Sequence, residues 1–408
     1  MADKNAYEGR EQTLVKHAIL RQYLSAWAHK VGSFCDTLTY VDCFSGPWNA
    51  VSDDLSDASF SIALAELRKA RETYAKTGRT IRIRCLFIEK KKKAYKELKA
   101  FADAVSDAEI KTIPGELEDN IQSVVSFIKA GGGRNFPFVF IDPTGWTGFA
   151  MQTIEPLLKL NPLEVLVNFM TSHIRRFVES PQKQTTESFA QMFGSADFQT
   201  KVQGKAFEEK EESLIGEYFR NLKARGKFEH VAAAIVLDPA ISRTAFHLIY
   251  ATRNRVGLQV FKAAEKNAMA LMLEVQEAAA RRKGETTKIQ GDLFGPIGII
   301  ISTHYEHLRE RYTRMARELV MSLLVAKGAI TYDIAWRAAL TFPLVWETDL
   351  KTWIAGWQKD CAVVVNGLDA KERVPKLDRN HTLRFVPLGE RTTEPSTNRK
   401  PKSPNKKQ

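Results

Sequence analysis

The sequence lacks several features that mark common protein classes. Its only cysteines are Cys35, Cys43, Cys85 and Cys361. None belongs to a CxxC pair, so we expect neither disulfides nor a metal site, and a cytoplasmic location is the default. No apolar run is long enough to span a bilayer, and the polar amino-terminal residues contain no signal-peptide core, so no membrane partner is expected.

Acidic residues are scarce relative to basic ones. The 60 Lys and Arg against 48 Asp and Glu give a net charge of +12. This charge favours a polyanionic partner, with nucleic acid (DNA or RNA) first, but it does not indicate a fold. The hydrophobic content of 44% over 408 residues is typical of a globular protein with two domains, or with one large domain and an appendage.

The most informative stretch is FVFIDPTGW, residues 138–146. Its apolar start predicts a short buried strand, which Asp142 and Pro143 end before Trp146 follows. A buried parallel strand that ends in an acid delivers side chains to a ligand crevice. The carboxylate and the aromatic side chain suit the binding of a flat ring beside a polar group. The alternative is a plain strand end in which Trp146 is a core aromatic.

An upstream strand, Leu38–Phe44, carries Asp42 near its end and leads into the loop SGPW at 45–48. The glycine lets the backbone approach a ligand, and Asp42 can either bind amino groups or order the loop. This pattern fits a nucleoside-type cofactor site. Because the glycine spacing is not GxGxxG, a dinucleotide pyrophosphate site is disfavoured.

Further strands are predicted over Ile81–Ile88, Glu109–Ile113 and Glu164–Met170, with helices between consecutive strands. Right-handed crossovers turn this order into an open parallel sheet with its ligand crevice at the carboxyl ends of the strands. An acid at the tip of the second strand is the usual acceptor for ribose hydroxyls. Four acids are placed at these tips, and we expect them to surround one site: Asp42, Glu89, Glu116 and Asp142.

Two basic clusters are candidate nucleic-acid contacts. Four consecutive cations at a predicted helix start oppose the helix dipole, so local stability is not their obvious purpose. A helical insertion at about 171–226 combines cations with aromatic residues, which suits a cap that touches phosphates and bases. In both cases the alternative is a solvated charged face. The candidate residues are Lys90, Lys91, Lys92, Lys93, Arg175 and Arg176.

The rest of the chain predicts an edge hairpin and a second domain. The strands 231–237 and 246–252 are joined by a short loop, so they must pair antiparallel. A helix over 258–283 and a linker over 284–295 follow. Residues 297–389 predict a winged helix-turn-helix, with strands at 361–365 and 383–386 as the wing hairpin. Residues 390–408 are basic and predicted to be disordered.

These motifs resemble those of class I S-adenosylmethionine-dependent methyltransferases, whose sheet has five parallel strands and an antiparallel edge hairpin. Over roughly residues 11–365 the chain resembles more closely the three-Cys-motif partner proteins. The matching segments are KH (16–17), DCFSGP (42–47), FIE (87–89), FIDP (140–143), VNFM (167–170) and FHLIYAT (246–252). The resemblance implies a Rossmann-like α/β domain over 1–260, a helix and linker over 261–296, and a partner protein with a three-cysteine motif encoded nearby.

The resemblance also implies S-adenosylmethionine as the cofactor and assigns residues to it by position. Glu89 matches the acid that binds the ribose, and Glu116 matches the acid on the adenine side. The first cofactor loop is matched by Asp42, Phe44, Ser45 and Gly46. Trp48 stands in that loop where a second glycine is usual.

Asp142 and Pro143 match the start of the Asp/Asn-Pro-Pro-aromatic motif of enzymes that methylate base amino groups. In that chemistry the acid accepts a hydrogen bond from the exocyclic amine and the aromatic ring stacks on the base. Thr144-Gly145 replaces the Pro-aromatic pair, so Trp146 is the aromatic one residue further on. The predicted function is methylation of nucleic acid. The alternative is a catalytically inactive methyltransferase-like subunit that binds nucleic acid or a partner.

Overall fold

The computed structural model describes residue 7 and residues 9–46, 52, 55–171, 182–195, 197–238, 241, 243–288, 297–369 and 371–390. The chain forms two compact units, Met1–Arg309 and Glu310–Gln408. The boundary falls inside helix α10 (Ile297–Lys327). The domain limits given above stay predictions.

The first unit alternates strands and helices. Its strands are β1 (Thr37–Asp42), β2 (Arg82–Glu89), β3 (Glu109–Pro114), β4 (Asn135–Ile141), β5 (Glu164–Phe169), β6 (His230–Leu237) and β7 (Thr244–Thr252). Its helices are α1 (Glu11–Gly32), α2 (Ser59–Ala75), α3 (Lys92–Asp103), α4 (Leu117–Lys129), α5 (Met151–Leu158), α6 (Lys183–Phe193), α7 (Phe198–Val202), α8 (Phe207–Gly226) and α9 (Arg255–Lys288).

The strands form one seven-stranded sheet with the order β3-β2-β1-β4-β5-β7-β6. The first five strands pair parallel, and β7 pairs antiparallel with both β5 and β6. This arrangement confirms the predicted α/β fold of Rossmann type, with five parallel strands and an antiparallel edge hairpin. Because β1 and β4 are neighbours at the centre, their tips Asp42 and Ile141 lie at the same edge of the sheet.

The central strands are buried on both faces, as their apolar sequences require. Every residue of β1, β4 and β5 is buried. Tyr40 of β1 stacks on Phe138 of β4, with ring centroids 6.1 Å apart and planes within 9° of parallel. The core is therefore continuous across the strands whose ends carry the predicted site residues.

Some element boundaries differ from the sequence predictions. Strand β1 ends at Asp42, two residues earlier than predicted, because Cys43 and Phe44 already belong to the following turn. Helix α9 continues to Lys288 and so takes up the first five residues of the predicted linker. The helical insertion is confirmed as α6, α7 and α8 from Lys183 onward, and residues 172–181 lie outside the described ranges.

The second unit contains the later part of α10, a small sheet and two further helices. Its strands are β8 (Ala329–Thr331), β9 (Val363–Asn366) and β10 (Thr382–Phe385), and its helices are α11 (Tyr332–Leu340) and α12 (Glu347–Lys359). The sheet order is β8-β10-β9, and both pairings are antiparallel. Strands β9 and β10 pair as the wing prediction requires, and the winged-helix identity stays a prediction.

Among the helices in the described ranges, none is both long enough and apolar enough to cross a membrane.

Candidate functional site

Two adjoining cavities lie at the carboxyl edge of the parallel strands. The larger has a volume of about 380 Å³ and the smaller about 240 Å³. Phe44 and Thr144 line both cavities, so these two side chains mark where the cavities meet. We call them the large and the small cavity. The predicted residues in their walls are Glu89, Lys90 and Glu116 in the small cavity, and Gly46, Asp142 and Pro143 in the large one.

The small cavity is dominated by Glu89, at the end of β2. This side chain is only 1% exposed. Its Oε1 accepts a hydrogen bond of 2.5 Å from the backbone N–H of Lys91, whereas Oε2 is buried and has no partner among the described residues. Burial raises the pKa of Glu89. A buried carboxylate oxygen without a partner is destabilising unless a ligand donates to it, so Oε2 is a ready acceptor for a hydroxyl group.

Glu116 lies at the rim of the same cavity. Its side chain is 50% exposed and sits 3.5 Å from the Nζ of Lys90. Gly115, with φ of +129°, forms the turn between β3 and α4, and its N–H donates to the carbonyl of Glu89. This hydrogen bond joins the loops after β2 and β3, which brings the two predicted acids to one cavity.

Of the six cations that are predicted to contact nucleic acid, four lie within the described residues. Lys90, Lys91, Lys92 and Lys93 are all exposed, and only Lys90 lines the small cavity. Their contact with nucleic acid stays a prediction. Arg175 and Arg176 lie outside the described residues, as do Pro47 and Trp48 of the first loop.

Asp42 lines neither cavity. Its carboxylate is fully buried and accepts hydrogen bonds from the backbone N–H of Phe44 at 3.1 Å, the hydroxyl of Ser59 at 2.6 Å and the hydroxyl of Tyr40 at 3.2 Å. Of the two roles considered for Asp42, the structure therefore favours ordering of the loop. Burial raises the pKa of Asp42 to about 6, against the hydrogen bonds that lower it.

This raised pKa predicts a pH dependence of stability. The carboxyl binds its proton more tightly in the folded protein, so its contribution to stability is largest below the ordinary pKa of 3.8. It is lost as the pH rises through about 6, to a total of about 3 kcal/mol. We expect Asp42→Asn to lack this loss. The free energy of unfolding in urea, measured at pH 4 and pH 7, should fall with pH by about 2 kcal/mol more in the unmodified protein than in the variant, since part of the total is already lost at pH 4. An equal fall in both would contradict the assignment.

Ser45, in the described part of the first loop, is tied to the sheet. The hydroxyl of Ser45 donates to the carbonyl of Asp42 at 2.6 Å and accepts from the N–H of Ile88 at 3.2 Å. Ser45 is fully buried and lines neither cavity, so its role is to fix the loop. Gly46 reaches the wall of the large cavity, and Phe44 lies between the two cavities.

Asp142 lines the large cavity, and two donors hold its carboxylate. Lys16 of α1 places its Nζ 2.5 Å from Oδ2, and the Nδ2 of Asn168 donates to Oδ1 at 2.6 Å. Both carboxylate oxygens are thus engaged, and the charge is balanced by Lys16. The Lys16 ammonium also lies 6.0 Å from the centre of the Phe246 ring.

Trp146 lines neither cavity. Its ring stacks on Phe189 of α6, with centroids 5.2 Å apart and planes 23° from parallel, and it packs against the main apolar cluster. This position agrees with the core-aromatic alternative, because the insertion supplies an apolar partner that the strand sequence does not reveal. Stacking of Trp146 on a substrate stays a prediction.

Sequence reasoning missed several side chains of the large cavity. Two further ion pairs occur in its wall, Arg10 with Asp57 and Arg243 with Asp238. His17, in the KH segment (16–17) that the sequence motifs had singled out, also lines it and is hydrogen-bonded to the hydroxyl of Tyr7 at 3.0 Å. Burial lowers the pKa of His17 well below its usual value, so the ring is neutral. The signal for a role of Asn168 was its place at the end of the fifth parallel strand.

Within the part of the chain that the structure describes, no group of three or more His, Cys, Asp or Glu side chains could hold a metal ion.

Comparison with known proteins gives similarity to solved structures only. No family model matches the sequence, and no curated protein matches it. An O-methyltransferase from Bacillus cereus in complex with SAH is 10% identical, with a TM-score of 0.30, and covers 57% of this chain and 80% of its own. Loganic acid methyltransferase with SAH is 9% identical, with a TM-score of 0.30, and the match covers 75% of this chain and 91% of that protein. A putative methyltransferase from Thermobifida fusca is 8% identical, with a TM-score of 0.33, and the match covers 60% of this chain and 83% of that protein. At these scores the evidence for the fold is the sheet order itself.

Proposed function

We propose that the protein is an S-adenosylmethionine-dependent methyltransferase. The observation that carries the proposal is the buried Oε2 of Glu89, which lacks a partner among the described residues and belongs to a side chain that lines a cavity at the tip of the second parallel strand. In a doubly wound sheet, an acid at this position usually accepts hydrogen bonds from ribose hydroxyls. The sequence resemblance to class I methyltransferases supports the same ligand.

The two cavities suit the two ends of this cofactor. Glu89 would hold the ribose and Glu116 would face the adenine side. The methionine part would pass Phe44 and Thr144 toward Gly46 and Ser59, since these residues line the large cavity next to the small one. When bound, the cofactor supplies an electrophilic methyl group on a sulfonium centre. The chain's own contribution is to position the acceptor and to shield it from bulk water.

For the substrate we propose an amino group of a nucleic acid. The net charge of +12 and the exposed cations Lys90–Lys93 near the small cavity support a polyanionic substrate. Membership of the three-Cys-motif partner proteins, and a partner encoded nearby, rest on the sequence motifs alone and belong to the same proposal.

The proposal is tested by two measurements on the full chain. Calorimetry should give a micromolar dissociation constant for S-adenosylhomocysteine, the demethylated product. Methyl-labelled S-adenosylmethionine should then transfer label to total nucleic acid from cells that lack the protein. Absence of heat at high ligand concentration would overturn the cofactor assignment. Binding without label in nucleic acid would overturn the substrate assignment.

The pairing of Asp142 with Lys16 favours a second candidate, a methyltransferase-like subunit without catalysis that binds nucleic acid or a partner. A neutralised Asp142 is less able to accept a hydrogen bond from a substrate amine. This candidate predicts salt-dependent nucleic-acid binding that Asp142→Ala leaves unchanged, with no methyl transfer.

A further inference from the structure

We infer that the side-chain oxygen of Asn168 accepts a hydrogen bond from the amino group that takes the methyl, and that Asp142 and Lys16 position this amide. The inference rests on the proposed function and deepens it. It moves the acceptor from the fourth strand, where the sequence motif places it, to the fifth.

The strand-end residues that line the large cavity belong to two parts of the sheet, one before and one after the end of β4. Strand order runs β2, β1, β4, β5, β7, and the acid for the ribose, Glu89, ends β2. A cofactor that begins at β2 and extends along the strand ends reaches β4 at Asp142. Asn168 of β5 and Phe246 of β7 then line the half beyond it. This half is left for the methyl acceptor.

Asn168 carries an unpartnered acceptor oxygen at the wall of this half. The residue is 3% exposed and lines the large cavity. Its Nδ2 donates to Asp142 Oδ1 and lies 3.5 Å from the sulfur of Met170. Its Oδ1 is buried and has no hydrogen-bond partner among the described residues. A buried amide oxygen without a donor is destabilising, so a donor from a ligand would be bound with a net gain.

The neighbouring ion pair fixes which end of the amide is free. A carboxylate can only accept hydrogen bonds, so the atom of Asn168 that faces Asp142 must be the NH₂ group, and the oxygen must point elsewhere. Lys16 completes the arrangement by holding the other carboxylate oxygen. Asp142 is therefore occupied as a holder of Asn168, which explains an acid at this tip without requiring it to bind the substrate.

The transfer step balances with an amide acceptor. One N–H of the substrate amine donates to Asn168 Oδ1, which orients the nitrogen lone pair toward the sulfonium methyl. The nitrogen–carbon bond forms as the carbon–sulfur bond breaks, and its electron pair stays on sulfur to give S-adenosylhomocysteine. The methylated nitrogen then loses a proton to water, since an amide oxygen is too weak a base to keep it.

A cofactor analogue tests this without knowledge of the substrate. Sinefungin carries an amino group on the carbon that replaces the methyl-bearing sulfonium, so its amine stands where the methyl is delivered. We expect calorimetry to show sinefungin binding about tenfold more tightly than S-adenosylhomocysteine. Asn168→Leu should reduce this ratio to within about twofold while S-adenosylhomocysteine binds as before, whereas a purely structural role would weaken both ligands together.

Two further variants keep the test decisive. Asn168→Ala also removes the acceptor, without added bulk, and should likewise reduce the ratio to within about twofold, which serves if the leucine variant fails to fold. Met170→Leu alters the same cavity wall without an acceptor and should leave the ratio unchanged. A ratio that is equal in the unmodified protein and in Asn168→Leu, or a ratio near one in the unmodified protein, overturns the inference. Absence of binding by either ligand overturns the proposed function instead.

Discussion

Replacing Glu89 with alanine is expected to weaken binding of S-adenosylhomocysteine by about 30- to 150-fold, the largest effect on ligand affinity that we predict. A hydrogen bond to a charged acceptor contributes about 2–3 kcal/mol when the acceptor is desolvated. Glu89 meets this condition because it is 1% exposed and its Oε2 has no partner among the described residues. Titration calorimetry at one pH and one salt concentration measures the change.

Glu116 provides a matched control for this experiment. It is the same residue type in the wall of the same cavity, but its side chain is 50% exposed and already lies near Lys90. Exposed charges of this kind contribute little, so we expect Glu116→Ala to change the affinity by less than about threefold. Equal losses in the two variants would show that burial does not select the ribose acceptor, and a larger loss in Glu116→Ala would place the nucleoside differently.

The placement of these acids could be predicted because strand position follows from local patterns. The apolar runs and the intervening helices determine a parallel sheet, and right-handed crossovers bring the strand tips to one edge. Glu89, Glu116 and Asp142 therefore line adjoining cavities as expected. The edge hairpin followed from the shortness of the loop between β6 and β7, which leaves no length for a crossover.

The partners of each tip residue could not be predicted, because they come from distant parts of the chain. Asp142 meets Lys16 across 126 positions of sequence, and Trp146 meets Phe189 of the insertion. Asp42 lies at a strand tip, but its carboxylate already accepts three hydrogen bonds within the protein and lines neither cavity. A strand pattern predicts the backbone position of a residue in the sheet. The direction of its side chain, and the hydrogen bonds that the side chain can still make, depend on tertiary packing.

The largest effect on stability is expected at Gly257, near the start of α9. An added Cβ there would overlap the hydroxyl of Tyr250 and Oε1 of Glu164. Glu164 is fully buried at the start of β5, where it accepts hydrogen bonds from the hydroxyls of Tyr23 and Thr252. These contacts join α1, β5 and β7 around one carboxylate. Burial raises the pKa of Glu164 against these hydrogen bonds.

Gly257→Ala must therefore either push α9 off the sheet or break the hydrogen bonds of a buried acid. Loss of partners for a buried charge destabilises proteins by about 3–5 kcal/mol, and we expect an effect of that size in urea unfolding. Gly216→Ala is the matched control, because Gly216 is helical and its added Cβ would meet nothing within 4 Å beyond its chain neighbours and the backbone of its own helix. That variant should be neutral or more stable by up to about 1 kcal/mol. A Gly257→Ala variant as stable as Gly216→Ala would contradict the prediction. It would show that the hydrogen bonds around Glu164 can adjust without loss of stability, and that they do not depend on the close approach of α9.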